Sequence, residues 1–415
     1  MIEHCFARTS VITRLRLGPL GSHLDALATT LHQQGYAPDS IRRALRAGDQ
    51  FGRWLSQHDY AIAEVDEALV ERYIRALPRP PVGRWPKAAA GLPHLLRLWR
   101  QQDLLPPRTD TPSRTEAAQW LVRYAQYLEH VCGTATSTRT AYLRIVTRFL
   151  AARFGSGRVQ WNTLPAQALT DFVRQEVATK HGGGRQLPSV ALRSLLRFLV
   201  FSGEVAPGLE AAVPIPRQWT HATLPCRLTV EEVERVLATW TGGSPKALRN
   251  HAILLLLARL GVRAHEVAAL CLEDLNWYES HVRIRPGKTH RERLLPLVQE
   301  VGGAVAAYLQ HGRPPTTSRH LFLHCRAPFR PLTDATAISR IATRALMRAG
   351  IASPARLGAH TFRHTAASQM VNQGASFKDV ADVLGHRSLQ TTGIYAKLDV
   401  EALAAVALPW MGDAV

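Results

Sequence analysis

The chain has 415 residues, 46% of them hydrophobic, which is enough for two or three domains with cores of their own. Its 51 Lys and Arg residues against 32 Asp and Glu residues give a formal net charge of +19, an excess that favours a polyanionic partner, first of all nucleic acid. Five scattered cysteines argue against a disulfide framework and a zinc ribbon. The sequence has no signal-peptide core and no apolar run near the ~18 residues that a membrane span needs, so we expect a cytoplasmic protein.

The first predicted domain, residues 1–105, is helical. Leu24, Leu27 and Leu31 recur at helical spacing, and Asp39-Ser40 fits the start of a further helix. The proline-rich stretch 78–81 interrupts the pattern, and another helix is predicted around Leu92 to Leu98.

A second helical domain is predicted over residues 115–212, after a proline-containing linker at 106–112. The two domains share a pattern at an offset of about 100 residues, in which Leu92, Leu95, Leu96 and Arg97 recur as Leu192, Leu195, Leu196 and Arg197. At an offset of about 98, Ser40 and Phe51 correspond to Thr138 and Phe149. We interpret the two domains as copies of one helical bundle. The alternative is the general likeness of any two amphipathic helices.

Two basic stripes cross the second domain. One helix carries polar and cationic side chains along one face, and a second stripe follows Gly182-Gly183-Gly184. Such stripes are usually solvated faces, but in so basic a chain they also fit phosphate contacts. We therefore predict DNA contacts from Thr138, Arg139, Tyr142, Arg144, Arg193 and Arg197, with Arg148 and Arg185 on the same stripes.

A third domain is predicted over residues 224–415, after the linker Pro214 to Pro225. Thr229 and Glu232 form a capping-box pattern, and Asn250 to Leu260 is predicted to be a buried helix. From His281 the apolar period changes to two, which predicts a β-hairpin with Lys288 at its tip. Helices are predicted at 301–309 and 334–349.

The segment from His360 to Tyr395 gathers the groups that phosphodiester chemistry needs. His360, Arg363 and His364 share a helix face, and Leu384-Gly385-His386 is followed nine residues later by Tyr395. Cations can bind the non-bridging oxygens, imidazoles can carry protons, and a phenol can act as nucleophile. Zinc is the alternative for two histidines at this spacing, but a metalloprotease motif needs Glu where Thr361 stands, and no third ligand is indicated by spacing.

Six residues in order carry a family resemblance: Arg263, Lys288, His360, Arg363, His386 and Tyr395. They lie in the segments "ARLGVRAHEVAAL", "VRIRPGKTHRERLLPL" and "AHTFRHTAASQMVNQGASFKDVADVLGHRSLQTTGIYAKLD". With these motifs the chain resembles the tyrosine recombinases, the phage-integrase and Xer-like family. The resemblance covers roughly residues 115–410. Residues 1–105 lie outside the common pattern, and His265 stands where many relatives carry serine.

The resemblance implies a fold that is mostly α, with tandem helical DNA-binding domains and a catalytic domain that carries a small β-sheet. It also implies the chemical roles. Tyr395 would attack the scissile phosphate and form a 3′-phosphotyrosyl link, while Arg263 and Arg363 clamp the non-bridging oxygens. Lys288 would protonate the leaving 5′-oxygen, His360 would move the tyrosine proton, and His386 would bond the phosphate. His364 is taken as a structural neighbour.

The expected activity is site-specific recombination of double-stranded DNA, which serves the integration, excision or transposition of a mobile element. No metal, ATP or other cofactor is implied, since the arginines supply the charge. We expect a homotetramer on DNA in the bacterial nucleoid, and a partner recombinase is compatible with this assembly. The apolar segment Val400 to Leu408 is expected to dock on a neighbouring protomer.

Two other readings stay open. A type IB topoisomerase uses the same chemistry to relax supercoils as a monomer. A DNA-binding regulator would keep the fold without turnover. Tyr124, Tyr142, Tyr278 and Tyr308 are other tyrosines of the chain, but none of them follows a Gly-His step in the expected order.

Overall fold

The computed structural model describes residues 1–77, 89, 91–106, 115–155, 157–178, 182–217, 226–286, 292–351 and 358–385. The fold is mostly helical with one small antiparallel sheet, which confirms the expected fold class. The chain divides into two compact units, Met1–Pro106 with Thr223–Val415, and Pro107–Ala222. No helix in the described ranges is long and apolar enough to cross a membrane.

The N-terminal bundle consists of α1 (Ile2–Cys5), α2 (Thr9–Leu17), α3 (Gly21–Gln33), α4 (Pro38–Gln57), α5 (Glu67–Ala76) and α6 (Leu92–Gln101). Its core includes Leu24, Phe51 and Trp99, which are all fully buried. The start predicted at Asp39-Ser40 is wrong by one residue, because α4 begins at Pro38. Proline suits the first turn of a helix, where its fixed φ is already helical and its missing N–H is not needed.

The second unit contains α7 (Glu116–Gln126), α8 (Thr136–Phe154), α9 (Ala166–Ala178) and α10 (Leu187–Phe201). Phe149, Leu192 and Leu196 lie in its core. Hydrophobic positions at helical spacing therefore face inward, as the sequence pattern indicates.

The two bundles repeat the same local backbone features. A left-handed glycine precedes the long helix in each, Gly35 before α4 and Gly133 before α8. A left-handed residue also follows the last helix in each, Asp103 after α6 and Gly203 after α10. In each copy a 3₁₀ turn follows the long helix, Ile62–Glu64 after α4 and Trp161–Thr163 after α8. These features support the duplication, and the division into domains at 1–105, 115–212 and 224–415 stays a prediction.

The remaining helices are α11 (Val230–Ala238), α12 (Pro245–Leu260), α13 (Ala264–Ala269), α14 (Gln299–His311), α15 (Ala335–Arg348), α16 (Ala359–Asn372) and α17 (Phe377–Leu384). The sheet has the order β1 (Leu275–Asn276), β2 (His281–Ile284) and β3 (Arg293–Pro296). Helix α12 contacts α13, α14, α15 and α16, and the run from Ile253 to Leu257 is fully buried. This helix is therefore the centre on which the site is assembled.

Two sequence predictions about this region are confirmed. The hairpin pairs β2 with β3, with Val282 opposite Leu295. The Thr229 hydroxyl accepts a bond from the Glu232 N–H, and the Glu232 carboxylate accepts one from the Thr229 N–H, so both ends of the capping box are present. Strand β1 was not predicted, since two residues are too few to show a period of two.

Candidate active site

Arg263 stands at the junction between α12 and α13. Helix α12 ends at Gly261, whose φ is +59°, and a Cβ there would lie 2.8 Å from Leu384 Cδ2. Glycine is needed at this position because the backbone is left-handed and the space is filled. Arg263 then caps α13, and its Nη2 donates to the Gly385 carbonyl oxygen over 3.0 Å.

Glu266 is the acidic centre of the site. Its carboxylate is buried and accepts two bonds from Arg263, from the backbone N–H at 2.7 Å and from Nη1 at 3.0 Å. Arg293 on β3 donates to both carboxylate oxygens, Nη1 to Oε1 at 3.0 Å and Nη2 to Oε2 at 2.7 Å. Burial alone would raise the pKa of Glu266, but the two arginines overcome it and hold the pKa at about 2. Glu266 is therefore a carboxylate at any physiological pH.

Arg363 is carried by α16 and lies almost fully buried. Its Nη1 donates to the Gly261 carbonyl oxygen over 2.8 Å, and its Nη2 donates to the Leu384 carbonyl oxygen. Arg263 and Arg363 thus bond successive carbonyls at the end of α17. Two arginines that are 100 residues apart in the chain are brought to one turn, and that turn directly precedes His386.

The two histidines of α16 have ring centroids 6.5 Å apart. His360 keeps solvent exposure, yet partial desolvation together with the Arg363 and Arg263 guanidiniums lowers its pKa. His364 is more enclosed, and burial, His360 and Arg363 lower its pKa to about 4. Both rings therefore favour the neutral form at neutral pH. Among the described residues no group of three or more His, Cys, Asp or Glu side chains could hold a metal ion.

Three of the six predicted residues, Lys288, His386 and Tyr395, lie outside the described residues, as do Val400 to Leu408. The other three, Arg263, His360 and Arg363, lie together at the ends of α12, α16 and α17.

The predicted DNA-contact residues lie on α8 and α10 in the second unit. Arg139 forms an ion pair with Glu129 at 2.8 Å, and Arg193 Nη2 donates to the Val213 carbonyl at 2.9 Å. Arg144 and Arg197 are exposed, whereas Thr138 and Tyr142 are half-buried. Arg148, on the same stripe, pairs with Glu176 at 2.7 Å. A DNA role for these residues stays a prediction.

Sequence reasoning missed Glu266 and Arg293. The signal for Glu266 was its position three residues after Arg263, which is the spacing of a residue that bonds back to a helix N-cap. The signal for Arg293 was weaker: a cation five residues after Lys288, in a strand that was otherwise expected to pack on the core. Neither signal by itself indicates that the two side chains meet.

Comparison with known proteins places the chain in a family. A sequence model of the phage integrase family matches residues 226–402. The integrase/recombinase y4rA of Sinorhizobium fredii is 35% identical over 399 residues, which cover 96% of each protein. The chain belongs to the phage integrase family. A tyrosine recombinase XerD of Bifidobacterium longum is 31% identical over 296 residues, covering 67% of this chain and 93% of XerD.

The fold of the phage integrase family is also seen in solved structures. The XerH site-specific recombinase, bound to a palindromic difH substrate in a post-cleavage complex, matches with a TM-score of 0.51 at 18% identity, over 71% of this chain and 91% of XerH. As a member of the family, the chain is a tyrosine-type site-specific recombinase, an enzyme of DNA strand breakage and rejoining.

Proposed function

We propose that this recombinase cuts and rejoins double-stranded DNA through a 3′-phosphotyrosyl intermediate on Tyr395, without a metal or ATP. The observation that supports this best is the convergence of Arg263 and Arg363 on the Leu384–Gly385 turn, with His360 on the same helix as Arg363. Attack on a phosphodiester adds negative charge to the non-bridging oxygens. Guanidiniums that are already fixed in place can stabilise that charge without reorganising during the reaction.

Arg263 is suited to bind one of those oxygens. Its side chain is 19% exposed, and its Nη1 and Nη2 each donate one bond within the described residues. A guanidinium has five N–H donors, so donors remain for a phosphate. Because a guanidinium stays protonated at all relevant pH values, the positive charge of Arg263 does not change with pH.

The reaction needs a base for the Tyr395 proton and an acid for the leaving 5′-oxygen. A phenol has an ordinary pKa near ~10, so Tyr395 needs a base or nearby cations to react at neutral pH. His360 is mainly neutral because its pKa is lowered, so it can accept that proton. Lys288 is proposed as the acid for the 5′-oxygen, and His386 as a further donor to the phosphate.

Other tyrosines are poorer candidates for the nucleophile. Tyr124 and Tyr308 are fully buried, and burial raises the pKa of both phenols. A buried phenol of raised pKa is neither accessible to DNA nor easily deprotonated. Tyr278 is 97% exposed in the turn between β1 and β2, which makes it the best control for non-specific reactivity.

The DNA-bound state is part of the same proposal. XerH is bound to difH DNA, and a lambda integrase dimer, with a TM-score of 0.50, is bound to a COC' core site. We propose that this chain binds duplex DNA with the bundle at 115–212 and the catalytic region, and that four protomers assemble on it through the segment at 400–408. Its relatives named integrases support a role in moving a mobile element.

In the second bundle Arg144 and Arg197 are exposed and have no carboxylate partner among the described residues, so we propose that these two arginines contact phosphates. In the N-terminal bundle five arginines have carboxylate partners: Arg16, Arg42, Arg53, Arg75 and Arg100. Arg43 and Arg97 of the same bundle are exposed without such a partner among the described residues, so ion pairing does not separate the two bundles.

The test is covalent trapping on nicked suicide DNA that carries candidate sites from the flanks of the gene, with EDTA present. The parent protein, Tyr395→Phe and Tyr278→Phe are compared on denaturing gels. A protease-sensitive protein–DNA band is expected with the parent and Tyr278→Phe, and none with Tyr395→Phe. Tight DNA binding without a band across many sites would support the regulator instead. Relaxation of supercoiled plasmid without joining between molecules would support the topoisomerase.

A further inference from the structure

Arg293 is the residue of the site whose presence the proposed reaction does not yet explain. It lies at the start of β3, and its side chain is 10% exposed. Its guanidinium bonds both oxygens of Glu266, which is the bidentate geometry that an arginine forms best with a carboxylate. It also covers the turn before His386: a Cβ on Gly385 would lie 2.7 Å from Arg293 Nη1.

Arg293 compensates the negative charge that Glu266 places next to Arg263. Glu266 holds Arg263 through two hydrogen bonds, but a carboxylate 3.0 Å from a phosphate-binding guanidinium also cancels the charge that the phosphate would meet. Arg293 adds a second positive charge on the same carboxylate. The cluster of Arg263, Glu266 and Arg293 therefore keeps a net charge of about +1, and Glu266 can orient Arg263 without neutralising it.

One part of the Arg293 guanidinium does not contribute to the stability of the fold. Arg293 Nε is buried and has no hydrogen-bond partner among the described residues. A buried donor without a partner is unfavourable, and an apolar side chain would avoid it. A buried polar group without a partner calls for an explanation other than packing, and a role in the chemistry is one.

We propose that Arg293 is a positioning residue for strand cleavage: by compensating the charge of Glu266, it leaves the full charge of Arg263 to the scissile phosphate. This inference rests on the proposed function for the role of Arg263. Arg293 acts through Glu266 and not by touching the DNA, since its side chain is only 10% exposed and its terminal nitrogens face the carboxylate.

The test uses the full chain and the variants Arg293→Met, Glu266→Gln, Arg293→Met/Glu266→Gln and Arg293→Lys. Arg259→Lys is the matched control. Arg259 on α12 also bonds both oxygens of one carboxylate, that of Glu300 on α14. Two quantities are measured: the single-turnover rate of covalent complex formation on suicide DNA, and the affinity for a short duplex by fluorescence anisotropy in EDTA. Circular dichroism melting checks that each variant is folded.

Arg293→Met should lower the cleavage rate by about 100-fold, the size of effect seen when one donor to a developing oxyanion is lost. Adding Glu266→Gln removes the uncompensated carboxylate. The double variant should therefore cleave about 10-fold faster than Arg293→Met. Affinity should follow the same order with smaller changes. Arg293→Lys keeps the charge but not the two-oxygen geometry, so it should retain affinity while losing part of the rate. Arg259→Lys should change neither quantity.

A double variant that is no better than Arg293→Met in rate and in affinity would overturn the inference, because removing the Glu266 charge would then return nothing to Arg263. If Arg293→Met does not fold, Arg293→Lys replaces it, and equal losses of rate and affinity would overturn the inference. If the parent protein forms no covalent complex, the proposed function fails. The order of DNA affinities then decides the inference alone.

Discussion

Replacing Glu266 with Gln is the most informative single change for the stability of the site. The side chain keeps its size and loses its charge, and one amide group cannot accept all the bonds that the carboxylate accepts from Arg263 and Arg293. The pKa of Glu266 is about 2, against an ordinary value of 4.5. The difference corresponds to about 3 kcal/mol in favour of the ionised form in the folded protein. We expect Glu266→Gln to lower the free energy of unfolding by about that amount, and the Tm of this region by roughly 6–12 °C.

The sign of the pH dependence follows from the lowered pKa. The stabilisation by Glu266 is present above pH 4.5 and is lost as the pH falls toward 2, so the parent and variant stabilities should converge over that range. Urea unfolding followed by circular dichroism, at neutral pH and at steps below pH 4.5, measures both quantities. Glu300→Gln is the matched control: its carboxylate also bonds an arginine, Arg259, but is 48% exposed, so the loss should be under about 1 kcal/mol. Equal losses for the two variants, or a gap that does not narrow in acid, would refute the reasoning.

Three further predictions concern other parts of the chain. Arg144→Ala should weaken duplex binding and reduce the slope of log affinity against log salt by about 1, whereas Arg46→Ala, at the same helix position in the N-terminal bundle but stacked over Phe6, should not. Because His364 has a pKa of about 4, the parent should lose about 3 kcal/mol of stability between pH 6.5 and pH 4, and His364→Gln should lose less in an acid titration. Thr229→Ala should lower the free energy of unfolding by about 1 kcal/mol in urea, since the α11 capping box is lost.

The sequence was enough to predict those parts of the fold that depend on local pattern. The capping box at Thr229, the buried helix at 250–260 and the hairpin from His281 all have a period or spacing that only one element type fits well. The meeting of Arg263, His360 and Arg363 could be expected only through the family resemblance. Nothing in their spacing brings residue 263 to residue 363.

What could not be predicted is how the arginines are held. Arg363 donates to the carbonyl oxygens of Gly261 and Leu384. Every residue has a backbone carbonyl, so the sequence does not indicate which ones accept these bonds. Arg293 and Glu266 are 27 positions apart on different elements, β3 and α13, so their ion pair depends on the tertiary fold. No local sequence pattern predicts tertiary contacts of this kind. Arginines are mostly exposed in proteins, so the burial of Arg293 and Arg363 is also unexpected from residue type.

The glycines at the two turns show why the site tolerates little change. Gly385 has a φ of +63°, its carbonyl bonds Arg263, and a Cβ would lie 2.7 Å from Arg293. Gly374, which follows α16, has a φ of +85° and nothing within 4 Å of a Cβ, so it isolates the backbone effect. Gly374→Ala should destabilise by about 1–2 kcal/mol from the left-handed backbone alone. Gly385→Ala should add about 1–3 kcal/mol for overpacking and should slow covalent complex formation, since it displaces Arg293 and through it Arg263. Urea unfolding and single-turnover cleavage measure the two effects, and equal behaviour of the two alanine variants in both assays would show that the Gly385 turn does not position the arginines.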